Sequence, residues 1–147
     1  MIGQQQKDQA EKWFKDLRDK ICEEFEILEE DHINLAPKSD VAAKKFERKS
    51  TIRETDDKED GGGGVMATLK DGRIFEKVGV NVSAVYGKLA PEAQKSITAR
   101  KAIPELKDDP RFWASGISLV AHMTNPHTPA IHLNTRMFWT PHAWWFG

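Results

Sequence analysis

The chain has 147 residues, with 22 Lys and Arg against 23 Asp and Glu and a formal net charge of −1. That length suits one domain with its own core, and its scattered basic residues leave no nucleic-acid footprint. The single cysteine, Cys22, excludes an internal disulfide framework and a multi-cysteine zinc site.

No apolar run is long enough to span a membrane. The opening residues, Met1-Ile2-Gly3-Gln4-Gln5-Gln6, lack the basic and apolar regions of a secretion signal. The expected compartment is the cytoplasm. The aromatic residues are concentrated late, and the chain stops at Gly147 directly after Trp144-Trp145-Phe146. Termini are usually solvated, so the expectation is a truncated chain that lacks a partner segment.

Residues 4–30 read as a helix. Phe14, Leu17, Ile21, Phe25 and Leu28 recur at spacings of three and four, with Trp13 and Cys22 at the flanks of that stripe. Such a stripe covers a core, and the other face is too acidic for a membrane surface. Residues 31–60 are polar. Phe46 and Ile52 are their large apolar anchors, a strand is predicted over residues 46–53, and His32 reads as a surface histidine. Residues 55–60 look like a solvated loop.

Gly61-Gly62-Gly63-Gly64 follows. Its composition favours a flexible linker over a stretch where backbone must approach a ligand or another chain closely. No Gly-Lys-Ser/Thr follows, so it is not a P-loop. Residues 65–69 and 74–80, joined through Asp71-Gly72, carry the signal of a hairpin with a tight type I′ turn. Alternation places Phe75 and Lys77 on one face and Ile74, Glu76 and Val78 on the other. Pro91 opens a helix running through Ala102, with Glu92 near the positive end of its dipole, and Pro104 ends it.

Two late runs carry the chemistry. In residues 116–122, Ile117, Leu119 and Ala121 share one face of a strand, and Ser118, Val120 and His122 share the other. In residues 130–139, Ile131, Leu133, Thr135, Met137 and Trp139 form the apolar face. His132, Asn134 and Arg136 form the polar one. Asn125-Pro126 and Pro129 mark a turn between the runs. The simplest pairing is antiparallel about His127, with His122 opposite His132, Val120 opposite Asn134, and Ser118 opposite Arg136. That gathers Ser118, His122, His132, Asn134 and Arg136 into one polar patch.

A patch of imidazole, amide and guanidinium suits gripping and protonating a carboxylate. Other readings compete with it. His122 and His132, or these with His127, are a weak metal site. Ser118 lacks the Gly-x-Ser-x-Gly surroundings of a nucleophile. Packed, hydrogen-bonded histidines in a sheet are the commonplace alternative.

Several segments occur together in a telling order. They are the four glycines, Phe75-Glu76-Lys77-Val78-Gly79-Val80-Asn81-Val82-Ser83, Gly116-Ile117-Ser118-Leu119-Val120, Asn125-Pro126, Pro129, His132-Leu133-Asn134-Thr135-Arg136 and Trp144-Trp145-Phe146-Gly147. In these the chain closely resembles the oxygen-dependent coproporphyrinogen III oxidase family, from about Phe46 onward and with the first helix included. It departs from that pattern at Ile52 and Tyr86, where Trp and His are expected, and in a small insertion at residues 55–60.

The resemblance implies an α+β fold, an antiparallel sheet flanked by helices. The chain is then one domain, residues 1–147, the N-terminal portion of a longer one. Residues 1–30 supply the helix, and residues 61–147 supply the sheet-forming region with the site strands. It implies an enzyme of haem biosynthesis that uses O2 to convert two propionates of coproporphyrinogen III to vinyl groups, giving protoporphyrinogen IX. His132 is implied as proton donor, Ser118, Asn134, Thr135 and Arg136 as substrate contacts, and His122 and His132 as ligands of a divalent metal. That metal is the only candidate cofactor beyond O2. The family is similar in being a homodimer, and this chain alone is expected to be inactive. Two alternatives stay open: a non-catalytic module that binds a tetrapyrrole or anion, and a histidine metal-binding domain.

Overall fold

The computed structural model describes residues 3–31, 40–55 and 57–147. The helix α1 spans Gln4–Asp31, and α2 spans Pro91–Lys101. Six strands are β1 (Glu47–Glu54), β2 (Asp60–Lys70), β3 (Phe75–Lys88), β4 (Arg111–Met123), β5 (Ile131–Trp139) and β6 (Trp144–Phe146). They form one antiparallel sheet in the order β1-β2-β3-β4-β5-β6. Each strand lies beside its neighbours in sequence, so no connection crosses over another strand. The expected α+β architecture, an antiparallel sheet with helices, is what forms. His32 lies outside the described residues.

One face of the sheet packs on α1. Val78, Val80 and Val82 from β3, and Ile117, Leu119 and Ala121 from β4, are buried there with Phe14 and Cys22 of the helix. This is the alternation read from residues 116–122. The predicted stripe packs on the core at Phe14, Leu17, Ile21 and Phe25 and departs from it at Leu28, which is exposed. The buried residues of the helix are Phe14, Arg18, Cys22 and Glu29. Residues four apart stack along one line of a helix, and that line carries two charged groups that an apolar count passes over. On β5 the apolar face is only partly covered. Met137 is buried, but Ile131 and Leu133 remain 43% and 42% exposed, because α1 lies across β3 and β4.

The four glycines are strand, not linker. They lie inside β2, paired to β1 on one side and β3 on the other. A Cβ on Gly63 would stand 2.2 Å from the Thr51 carbonyl oxygen, and one on Gly64 would stand 2.2 Å from that of Val82. Gly62 has φ of +88°, a left-handed conformation that side chains disfavour. Close approach of neighbouring strands is the cause, so composition misleads here. Ile52, taken as an apolar anchor, points into solvent on the edge strand β1.

The β2–β3 hairpin forms where Asp71-Gly72 predicts it, but the connection is wider than a two-residue turn. Asp71 donates its N–H to the Glu76 carbonyl, and Gly72 donates to that of Phe75. A bulge between Phe75 and Lys77 resets the alternation. Phe75 therefore joins Val78 in the core, and Lys77 faces the other way. Glu29 holds this connection to α1. Its carboxylate is fully buried and accepts the backbone N–H groups of Arg73, Ile74 and Phe75 at 2.7, 2.8 and 2.9 Å. The Thr124 hydroxyl donates to the Arg73 carbonyl, tying the end of β4 to the same loop.

Candidate functional site

The face of the sheet turned away from α1 carries the polar residues. Strand register arranges them in rows. Gly64, Ser83, Gly116 and Arg136 lie side by side across β2 to β5, and Met66, Asn81, Ser118 and Asn134 form the next row. Thr68, Gly79, Val120 and His132 follow, then Lys70, Lys77 and His122. Side chains in one row share a face because successive residues alternate. Asn81, Ser83, His122, His132, Asn134 and Arg136 are all exposed.

The predicted patch therefore exists, with its register shifted. Val120, not His122, pairs with His132, while Ser118 pairs with Asn134 and Gly116 with Arg136. The turn explains this. Thr128 donates its N–H to the Asn125 carbonyl and His127 donates to the Asn125 side chain, so the reversal closes ahead of the assumed centre. A shift of two residues preserves facing, whereas a shift of one would turn every side chain over.

Thr135 stands apart from the other implied contacts. It pairs with Ile117 on the side of the sheet that faces α1, so only its backbone borders the patch. Conversely, β3 brings Lys77, Asn81 and Ser83 into the patch, and the sequence reading gave them no role. The signal was present: buried Val78, Val80 and Val82 alternate with these polar positions.

Arg136 is fixed through its backbone, which exchanges hydrogen bonds with Gly147 at 2.7 and 2.9 Å. Among the described residues no ion pair engages its guanidinium. It is a free fork of donors, suited to a carboxylate. At about 3.4 Å per residue, His132 lies on the order of 14 Å further along the strand. The two groups are thus too far apart along the strand for their backbones to share one oxygen between them. One end of the platform is closed by a stack of aromatic rings: Phe112 on Phe138 at 5.6 Å, and Phe138 on Trp145 at 4.9 Å. The Lys101 ammonium at the end of α2 lies over Trp145.

A metal fits this face poorly. His122 and His132 sit in different rows of adjacent strands, and among the described residues no cluster of three His, Cys, Asp or Glu can hold an ion. Two imidazoles fill half of a tetrahedral shell. His127 lies in the turn beyond the strands.

Concave space lies on the opposite side. A cleft of about 910 Å³ opens beside the start of α1, lined by Lys7, Arg53, Asp60, Arg111 and Trp139 among others. Lys7 spans its aromatic wall, over the rings of Trp113 and Trp139. Burial, then the nearby Arg111, draws the Lys7 ammonium below the usual lysine range. The cleft mixes both signs of charge. Among the described residues its lining includes no histidine, whereas the flat face sets amide, imidazole and guanidinium on one strand.

The sheet face aligns those three groups on one strand, beside serine, asparagine and lysine on its neighbours, a set of donors and cations chemically suited to carboxylates. Residues 9–147 match the family model described as coproporphyrinogen III oxidase, and the chain belongs to that family. It is 44% identical over 141 residues to the oxygen-dependent coproporphyrinogen-III oxidase of Rickettsia peacockii (strain Rustic), an alignment covering 96% of this chain and 45% of the relative. The protein of the same name from Rickettsia bellii (strain RML369-C) is 38% identical over 146 residues, covering 99% and 47%. The chain thus spans about half the length of the relatives it matches.

Proposed function

We propose that this chain carries the substrate-gripping platform of an oxygen-dependent coproporphyrinogen III oxidase. The observation that carries the reading is the exposed His132-x-Asn134-x-Arg136 series on β5, facing the same way as Ser118 on β4. The substrate is a flexible tetrapyrrole with four propionate arms. Arg136 grips one carboxylate through paired, charge-assisted hydrogen bonds, and Asn134 and Ser118 donate to the same arm or the next. Holding the arms orients the reacting one.

A propionate that becomes a vinyl group loses CO2, a proton and two electrons. Two arms release four electrons, which reduce one O2 to two waters. The balance draws in two protons from outside the substrate. A proton donor is therefore required, and imidazole, with an ordinary pKa near 6.5, suits the task. His132 is that donor. The electron-rich porphyrinogen reduces O2 itself, so no organic cofactor is needed, and no step is assigned to a metal.

The same reading takes the whole protein to be a cytoplasmic homodimer. Exposed Ile131, Leu133, Trp144 and Phe146 are apolar surface of the kind that such contacts cover. The test is a titration of the chain with coproporphyrin III, the stable oxidised form of the substrate, followed by tryptophan quenching. Arg136→Ala should weaken binding about tenfold, as for loss of one charged hydrogen-bonded contact. Unchanged affinity would remove the reading. A change only when zinc or manganese is added would favour the metal-binding alternative.

A further inference from the structure

Glycine inside a central strand weakens it, and so calls for a cause. Most glycines of this sheet have one. Gly62 is left-handed, and a Cβ on Gly63, Gly64 or Gly116 would meet a neighbouring strand's carbonyl oxygen at 2.2, 2.2 or 2.5 Å. Gly79 has none of these. Among the described residues a Cβ there meets nothing within 4 Å, and its backbone lies outside the left-handed region. Its neighbours Val78 and Val80 are buried toward α1, so the vacant side-chain position opens onto the platform. It sits in the middle of β3 between Thr68 and Val120, with His132 one strand further on.

Among the described residues nothing crowds this position, and a glycine in such a place marks close approach of a ligand or of another backbone. Building on the coproporphyrinogen reading above, we infer that Gly79 is a specificity-determining position: the substrate's macrocycle lies flat on β3 at Gly79, where the missing side chain lets the ring reach the backbone. Strands about 4.8 Å apart place Gly79 roughly 10 Å from the His132 backbone. A ring seated there reaches toward the imidazole across Val120. Lys77 and Asn81 border it along β3, each about 7 Å away in the rows to either side. The ring thus lies over the sheet itself, not beyond β5.

The test uses Gly79→Leu, Gly79→Ala, Arg136→Ala and, as a same-face control on β1, Thr51→Leu. Each purified chain is melted and then titrated with coproporphyrin III. Gly79→Leu should melt at or above the parent temperature, since its side chain enters open space, yet bind at least tenfold more weakly. Gly79→Ala should fall between the two, and Thr51→Leu should bind as the parent does. If Gly79→Leu binds normally while Arg136→Ala does not, the placement over β3 is wrong and the platform stands. If neither variant alters binding, or the parent shows no saturable binding, the platform reading fails and takes this inference with it. A Gly79→Leu chain that does not fold would contradict the open position on which the inference rests.

Discussion

Glu29 is the perturbation whose consequence can be worked most fully from the structure. Its carboxylate is completely buried and is the acceptor for three consecutive backbone N–H groups, those of Arg73, Ile74 and Phe75. Glu29→Ala would leave those donors without an acceptor at the turn that starts β3. A buried donor left unpaired costs about 1–3 kcal/mol. Water entering the vacated space would satisfy part of the set, so a loss of roughly 3–5 kcal/mol is expected. That is a large share of the ~5–15 kcal/mol that separates folded from unfolded domains. Glu29→Gln keeps one acceptor oxygen but turns an NH2 toward N–H donors, and should lose about half as much. Gly72→Ala attacks the same contact from the other side, because a Cβ there would stand 2.5 Å from the Glu29 carboxylate. Urea unfolding followed by circular dichroism measures the loss, and hydrogen exchange at Ile74 and Phe75 locates it. A Glu29→Ala chain that loses less than about 1 kcal/mol with an unchanged denaturant slope would refute the reasoning.

Other expectations follow from single contacts. Burial pushes the Cys22 thiol up to about 11 from its ordinary 9.0, so the native chain should resist a disulfide reagent at pH 8 and react once unfolded. Because the folded value is the higher one, the stability this thiol contributes is complete below pH 9 and lost as pH rises toward 11. Alkaline stability curves of the parent and Cys22→Ala should diverge in that window. Gly63→Ala forces a methyl against the Thr51 carbonyl and should cost about 1–3 kcal/mol, as overpacking does. Loss of amide protection confined to β1 and β2 would report it.

Much of the site was legible because strand alternation is a strict code. The facing of Ser118, His122, His132, Asn134 and Arg136 follows from their spacing alone, and it survived a register error because that error was even. The register itself depended on where Asn125 closes its turn, which no periodicity reports. Alternation failed at Phe75, where a bulge inserts a residue, and composition failed at the four glycines, where crowding between strands imitates a flexible linker. Glu29 and Arg18 were missed for a different reason. A charged residue on the buried line of a helix is explained only by the partner it meets, and for Glu29 that partner is a loop more than forty residues away. The role of Gly79 needs coordinates too, since only they separate a glycine that crowding demands from one it does not.

The most direct test of the platform is the imidazole resonances of the chain during addition of coproporphyrin III. His122 and His132 lie on the face assigned to the ligand, and His142 lies in the turn between β5 and β6. The His132 signals should move first and furthest, with those of His142 unmoved. Shifts at His142 with His132 silent would place the ligand elsewhere and contradict the account.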